Sequence, residues 1–216
     1  MMKNSVKEEW IELFSDSQKL YRHIENILQS REQKSFIYKQ SISRPAAVLI
    51  PLFFKNRQAH LLFTKRTSKV ATHKGQISFP GGSKDDTDPD LKFTALRETE
   101  EEVGIFSYDI KVLGMTDIFL TNTDFLVTPF AGWFNYPYDF NINKDEIERL
   151  IEVPLAHLLQ EEVFSIRPVE RDGVKWNVHY YNFNGDIIWG VTGFLLSNFL
   201  SIVFGLNRSL AERVSE

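Results

Sequence analysis

Along the chain, the apolar positions change rhythm near residue 42. Before it, the spacing is helical. Trp10, Leu13 and Phe14 share one face, and Leu20, Ile24, Ile27 and Leu28 share another, which predicts helix over 5–29 in one or two pieces. From Arg44 onward the pattern shortens. "AAVLIPLFF" and "HLLFTKR" are β-rich runs separated by the polar turn "KNRQ", the signature of a hairpin. "QISFPGG" reads as a short strand ending in a Gly-Gly turn. Further strands are expected in "DIKVLGMTDIFL", "FLVTPFAGWF", "VFSIRPV" and "VKWNVHYYNF", with short helices at "KDEIERLIEV" and "PLAHLLQ". Between these runs, "SKDDTDP" leads into a helix over 89–103, with Asp88 as N-cap, Pro89 as first residue and Gly104 as left-handed stop.

The stretch "IIWGVTGFLLSNFLSIVFGL" (187–206) carries no charge and has the length to span a bilayer. Ser197, Asn198, Ser201 and Gly205 fall on one side of its helical wheel, and its first residues read as a strand end. A buried helix docked on the core fits this pattern better than a membrane span. The whole is α+β: a mixed β-sheet with helices packed against it. One boundary is expected, between a helical extension (1–42) and a main domain (43–216).

Composition narrows the function. Of 216 residues, 43% are hydrophobic and 25% charged, which excludes disorder as the main state. The absence of cysteine removes disulfides, thiolate metal sites and a cysteine nucleophile, and fits a cytoplasmic location. A net charge of -4 gives no general attraction to nucleic acid or to an anionic membrane. The start of the chain, "MMKNSVKEEW", has no apolar signal-peptide core.

The chemistry centres on "LRETEEEVG" (96–104). On a helix, Glu98, Glu101 and Glu102 stand at i, i+3 and i+4 and share a face that borders the apolar side formed by Ala95, Leu96 and Val103. Like charges at that spacing cost roughly 0.2–0.5 kcal/mol per pair. Water repays this at a solvated face; a cation repays it at a site. Carboxylates without cysteine or a local histidine suit a hard cation, Mg²⁺ or Mn²⁺. Gly81 and Gly82 allow close backbone approach to a metal or phosphate. Arg97 is positioned to orient a glutamate. Upstream, Lys65, Arg66, Lys69, His73 and Lys74 form a basic run suited to outlying phosphates. Taken singly, each feature has an ordinary reading as surface, turn or cap. Their order and spacing favour a site for a polyphosphate.

These residues resemble the Nudix hydrolases. "RETEEEVGI" (97–105) matches the second half of the family's box, with Thr99 in an aliphatic slot. The first half departs: counting back from Arg97, the glutamate position falls on Pro89 and the glycine position on Ser83, one residue after Gly82. A longer loop carrying Asp85 and Asp88 is similar to the CoA diphosphatase branch, as are "LLFTKRTSKVATHKGQISFPGG", "TALRETEEEVG", "VTPFAGWF", "VPLAHLL" and "IWGVTG", together covering roughly 44–200. Ala71 stands where that branch usually has a basic residue.

The resemblance implies an α/β/α sandwich around a mixed sheet. It implies Mg²⁺ or Mn²⁺ held by Glu98, Glu101, Glu102 and the Gly81 carbonyl, with Arg97 orienting the glutamates and Glu98 or Glu101 taking a proton from water. The basic run and Gly82 would bind the substrate. The substrate would be CoA or a derivative, cleaved at its phosphoanhydride to adenosine 3′,5′-bisphosphate and 4′-phosphopantetheine. ADP-ribose, NADH or a catalytically silent binding module are the alternatives. Trp133, Phe134 and Tyr136 could pack on an adenine or serve a core or edge strand. The uncharged C-terminal helix and the N-terminal helices each offer a face for a homodimer.

Overall fold

The computed structural model of the protein describes residues 8–38, 42–68, 75–171 and 173–208. Helices α1 (Glu8–Ser15) and α2 (Ser17–Ser30) come first, followed by strands β1 (Ser35–Phe36), β2 (Arg44–Lys55), β3 (Gln58–Arg66), β4 (Ile77–Ser78) and β5 (Gly81–Ser83). Helix α3 (Leu91–Val103) leads to β6 (Lys111–Met115), β7 (Ile118–Leu120), β8 (Phe125–Trp133) and β9 (Ile147–Pro154). Then come α4 (Leu155–Leu158), β10 (Phe164–Arg171), β11 (Val174–Phe183), β12 (Asp186–Trp189) and α5 (Gly190–Phe204).

Among the described residues, nine strands form one sheet along β1-β7-β8-β2-β3-β4, with β5 on β2, β6 on β8 and β9 on β3. The sheet is mixed, because β2 runs parallel to β8 and antiparallel to β3. Strands β10, β11 and β12 make a second antiparallel sheet. In β2, Ala46, Ile50 and Leu52 enter one apolar cluster, while Ala47, Leu49 and Phe53 enter the other. The two-residue period of a strand thus feeds a core on each face of the sheet. Helix α3 covers one face through Ala95 and Val103. Helices α1, α2 and α5 cover the other, where Trp10 and Phe14 meet Phe204 edge-on at 5.8 and 5.6 Å.

Two local expectations change. Residues 147–154, read as part of a short helix, are strand β9, paired antiparallel with β3. Ile147, Leu150 and Ile151 fit a helical spacing, but Ile151 and Val153 equally fit a strand, and the edge of β3 decides between them. Helix α3 begins at Leu91, two residues later than expected. Its N-cap is Asp90, whose side chain accepts from the Phe93 N–H at 2.7 Å. Gly104 ends the helix in the left-handed region at φ 77°, as its position after Val103 predicts.

Helix α5 is buried along most of its length, and no helix among the described residues is long and apolar enough to cross a membrane. Ser197 and Asn198 are paired inside. The Ser197 hydroxyl lies 2.6 Å from His179 Nδ1 and 2.7 Å from the Tyr181 hydroxyl. Asn198 exchanges hydrogen bonds with Asp117, donating from Nδ2 at 2.9 Å and accepting from the backbone N–H at 3.2 Å. Asp117 is also paired with Arg31, at the end of α2.

Candidate active site

Strand β5 lies antiparallel to β2 and brings Gly81 and Gly82 against helix α3. A Cβ on Gly82 would fall 2.5 Å from the Glu98 carboxyl carbon. One on Gly81 would fall 2.3 Å from the Ala47 carbonyl oxygen. Only glycine lets this strand lie so close both to its neighbour and to the carboxylate.

The helix sorts its glutamates by depth. Glu102 is buried, Glu98 half-buried and Glu101 exposed. Glu100 faces elsewhere and accepts the Ser107 N–H at 3.0 Å. Thr99, in the aliphatic slot, is fully buried and satisfies its hydroxyl on the Ala95 carbonyl at 2.7 Å.

Arg97 ties this region together. Its Nε and Nη2 each donate to Asp88 at 3.0 Å, Nη1 donates to Glu98 at 2.9 Å and to Glu101 at 3.3 Å, and Nη2 also reaches the Ser83 carbonyl at 3.2 Å. Asp88 is not the helix cap. It is a buried counter-ion that also accepts from Thr94 Oγ1 at 2.8 Å and the Asp85 N–H at 3.0 Å. The Arg97 fork holds the Asp88 carboxyl far below the usual carboxylate range, and Asp88 in turn raises Arg97.

Glu102 has the opposite environment. Burial pushes its carboxyl up to about 8; Arg66 opposes the shift, while Glu98 and Glu146 add to it. Oε1 accepts from Arg66 Nη1 at 3.2 Å, but Oε2 is buried with no hydrogen-bond partner. Glu98 is also raised, chiefly by burial, against the pull of Arg97. An orphaned carboxylate oxygen beside a second carboxylate is costly unless a cation or proton arrives.

The basic run divides. Arg66 turns to the carboxylates and also donates to Glu146 from Nη2 at 3.1 Å. Lys65 turns away, 3.8 Å from Glu148 and 4.0 Å from Asp186. Lys69, His73, Lys74 and Ala71 lie outside the described residues. The aromatics near 133 serve packing: Phe134 is buried against Phe53, Tyr136 stacks on Phe53, and Trp133 meets Tyr21 edge-on. Glu146 had no signal in the sequence, since Arg66 reaches it across 80 positions.

Among the described residues, no group of three or more His, Cys, Asp or Glu side chains converges closely enough to hold a metal ion as arranged. Arginines hold the carboxylates: Arg66 takes Glu102, and Arg97 takes Glu98 and Glu101. The donor set still fits a hard cation in kind. It is all oxygen, it includes the orphaned Glu102 Oε2, and Gly82 leaves room above Glu98.

A cavity of about 610 Å³ has Arg66, Gly81 and Gly82 in its lining. A mixed sheet flanked by helices, with an acidic helix facing a Gly-Gly strand, defines the class, and the NUDIX domain model matches residues 43–174: the chain belongs to the Nudix family and is a hydrolase. It is 35% identical over 154 residues to the uncharacterized Nudix hydrolase NudL of Photorhabdus laumondii, covering 71% of this chain and 82% of that protein. It is 31% identical over 146 residues to the mouse peroxisomal coenzyme A diphosphatase NUDT7, covering 68% of this chain and 62% of the mouse protein. Among solved structures, a C. elegans Ap4A hydrolase binary complex aligns over 52% of this chain and 80% of its own, at 18% identity and a TM-score of 0.44.

Proposed function

We propose that the protein hydrolyses the phosphoanhydride of CoA or a CoA derivative, with Mg²⁺ or Mn²⁺, to adenosine 3′,5′-bisphosphate and 4′-phosphopantetheine. The observation that carries this reading is the orphaned Glu102 oxygen near Glu98, which lies against Gly82, itself part of the lining of a substrate-sized cavity. The name of the mouse relative supports the CoA assignment.

Glu98, Glu101 and Glu102, with the Gly81 carbonyl, would hold the cation. When bound, such an ion neutralises bridging phosphate oxygens and lowers the pKa of a coordinated water. Arg97, braced on Asp88, holds Glu98 and Glu101 in register on the helix face. Glu98 lies under Gly82, which lines the cavity, so it is the carboxylate best placed to take the water's proton. Attack of a water on one phosphorus would break the P–O–P bridge, with one phosphate leaving as the other takes the water's oxygen, and so yield two phosphomonoesters. Of the basic run, Lys69, His73 and Lys74 would bind the outlying 3′-phosphate.

The test is phosphomonoester release from CoA with Mg²⁺ or Mn²⁺, beside dephospho-CoA, ADP-ribose and NADH, for the protein and its Glu102→Gln variant. Best turnover of CoA and a dead variant are expected. Preference for ADP-ribose or NADH would overturn the CoA assignment and keep the diphosphate chemistry. No turnover of any substrate would overturn both.

A further inference from the structure

We infer that Arg66 is a built-in competitor of the divalent cation: its guanidinium holds Glu102 without the ion and passes to Glu146 when the ion binds. This rests on the reading of Glu98, Glu101 and Glu102 as cation ligands. The geometry is a bridge. Arg66 Nη1 donates to Glu102 Oε1 at 3.2 Å, and Nη2 donates to Glu146 Oε2 at 3.1 Å. The two carboxylates differ in depth: the Glu102 side chain is 6% exposed and that of Glu146 44%. The buried one also carries the oxygen without a hydrogen bond, Oε2. A cation taking that oxygen meets the guanidinium on the other oxygen of the same carboxylate, and the two positive charges repel. A guanidinium presents its N–H groups as a fork, so it can release one acceptor and keep the other.

The fold keeps Glu146 within reach. The β3–β9 ladder shifts register between Lys65 and Arg66, so that Arg66 pairs with Ile147, the neighbour of Glu146. Such irregularities re-aim side chains. The Glu146 carbonyl accepts the Thr67 N–H at 2.8 Å, and its own N–H donates to the Asn143 carbonyl at 3.1 Å. The Asn143 N–H in turn donates to the Glu102 carbonyl at 3.1 Å. The segment 143–146 is therefore stitched both to the end of β3 and to helix α3, and these backbone bonds do not depend on which carboxylate the guanidinium favours. Arg97 differs. Its fork is fixed on buried Asp88, so it stays in place when Glu98 and Glu101 change partners. Arg66 leans on an exposed loop carboxylate instead, and it is the guanidinium that yields. Loading the cation and releasing Glu102 from Arg66 are then one linked event, with Glu146 as the positioning residue.

The experiment is calorimetric titration of the full chain with Mg²⁺ alone, without substrate, at about pH 9, where protons compete least for the carboxylates. Wild type, Arg66→Gln, Glu146→Gln and the double variant are compared. Arg66→Gln is expected to bind Mg²⁺ about tenfold more tightly, and Glu146→Gln about tenfold more weakly. In the Arg66→Gln background, Glu146→Gln should change the affinity by no more than about twofold, because no guanidinium is left for Glu146 to hold. Should Arg66→Gln fail to fold, Arg66→Lys takes its place: an ammonium keeps the charge without the fork and should equally erase the effect of Glu146→Gln. An unchanged or weaker Mg²⁺ affinity in Arg66→Gln would overturn the inference. So would an equal loss from Glu146→Gln in both backgrounds, since Glu146 would then act on the cation by its own charge. Lack of Mg²⁺ binding by the wild type overturns it together with the cation site. CoA turnover is read separately. A protein that shows this linkage but spares CoA overturns the CoA assignment and leaves the inference standing.

Discussion

Arg97 meets Asp88 as a fork, with Nε and Nη2 each 3.0 Å from a carboxylate oxygen, and this contact joins the acidic loop to the glutamate helix. Asp88 is buried, so Asp88→Asn takes from the guanidinium its buried counter-charge and leaves it the more exposed Glu98 and Glu101. Breaking a buried pair in this way costs about 3 kcal/mol, and the loosened Arg97 should lower kcat as well. Chemical denaturation and turnover of the same preparation check the two effects.

The same pair gives a pH dependence with a definite sign. The folded-state pKa of Asp88 is depressed, first by the Arg97 fork. Its contribution is fully present above the unfolded value of about 3.9 and is lost as pH falls through the folded value. The stability gap between wild type and Asp88→Asn should be constant from about pH 8 to pH 5 and shrink below that. Denaturation midpoints in a pH series measure it; a gap that widens in acid would contradict the assignment.

Glu102→Gln replaces a carboxyl that burial already favours in its neutral form and that has one oxygen without a partner, so the fold should survive the change. Its effect should appear when Mg²⁺ or Mn²⁺ is added. At a concentration about 100 times its Kd, a cation bound only by the folded state stabilises it by about 2.7 kcal/mol. Thermal melts should show that shift in the wild type and little of it in the variant.

Gly82→Ala places a methyl group 2.5 Å from the Glu98 carboxyl carbon. The side chain must swing away, and a displacement of about 1 Å at a catalytic group costs up to about 10²-fold in rate. We expect kcat to fall with a much smaller change in KM, and the melting temperature to move little. Steady-state kinetics separate the two constants.

Gly193→Ala tests the docking of α5. Its Cβ would lie 2.4 Å from the His179 carbonyl oxygen, which is backbone and cannot turn aside. The helix would be pushed off β11, at a cost of about 1–3 kcal/mol. Denaturant midpoints report the loss, and a stabilised variant would show that α5 has slack against the second sheet.

Much of the candidate site was legible because it is local. Three glutamates at helical spacing share a face whatever surrounds them, and Gly104 after Val103 marks where that helix stops. The hairpin of β2 and β3 announced itself through two apolar runs around a polar turn, although which residues of the continuous run in β2 face which core came only from the fold. The uncharged 187–206 stretch could be read as a docked helix from its polar side, although not that Ser197 and Asn198 would be paired with His179, Tyr181 and Asp117.

What remained closed depended on partners distant in the chain. Residues 147–154 could form helix or strand, and the exposed edge of β3 made them β9. Asp88 looked like a cap because a cap needs only the next three residues. Arg97, nine positions on, instead claims it as a buried counter-ion. Arg66 reads in the sequence as one member of a basic run, and only the fold sets it beside Glu102 and Glu146. Trp133, Phe134 and Tyr136 could serve a ligand or the core by sequence, and the fold buries Phe134 and packs Tyr136 on Phe53 and Trp133 on Tyr21. Periodicity and capping are energies of neighbours within a turn or two of chain. Edge pairing, burial and charge compensation are settled only when segments scores of residues apart compete for the same surface.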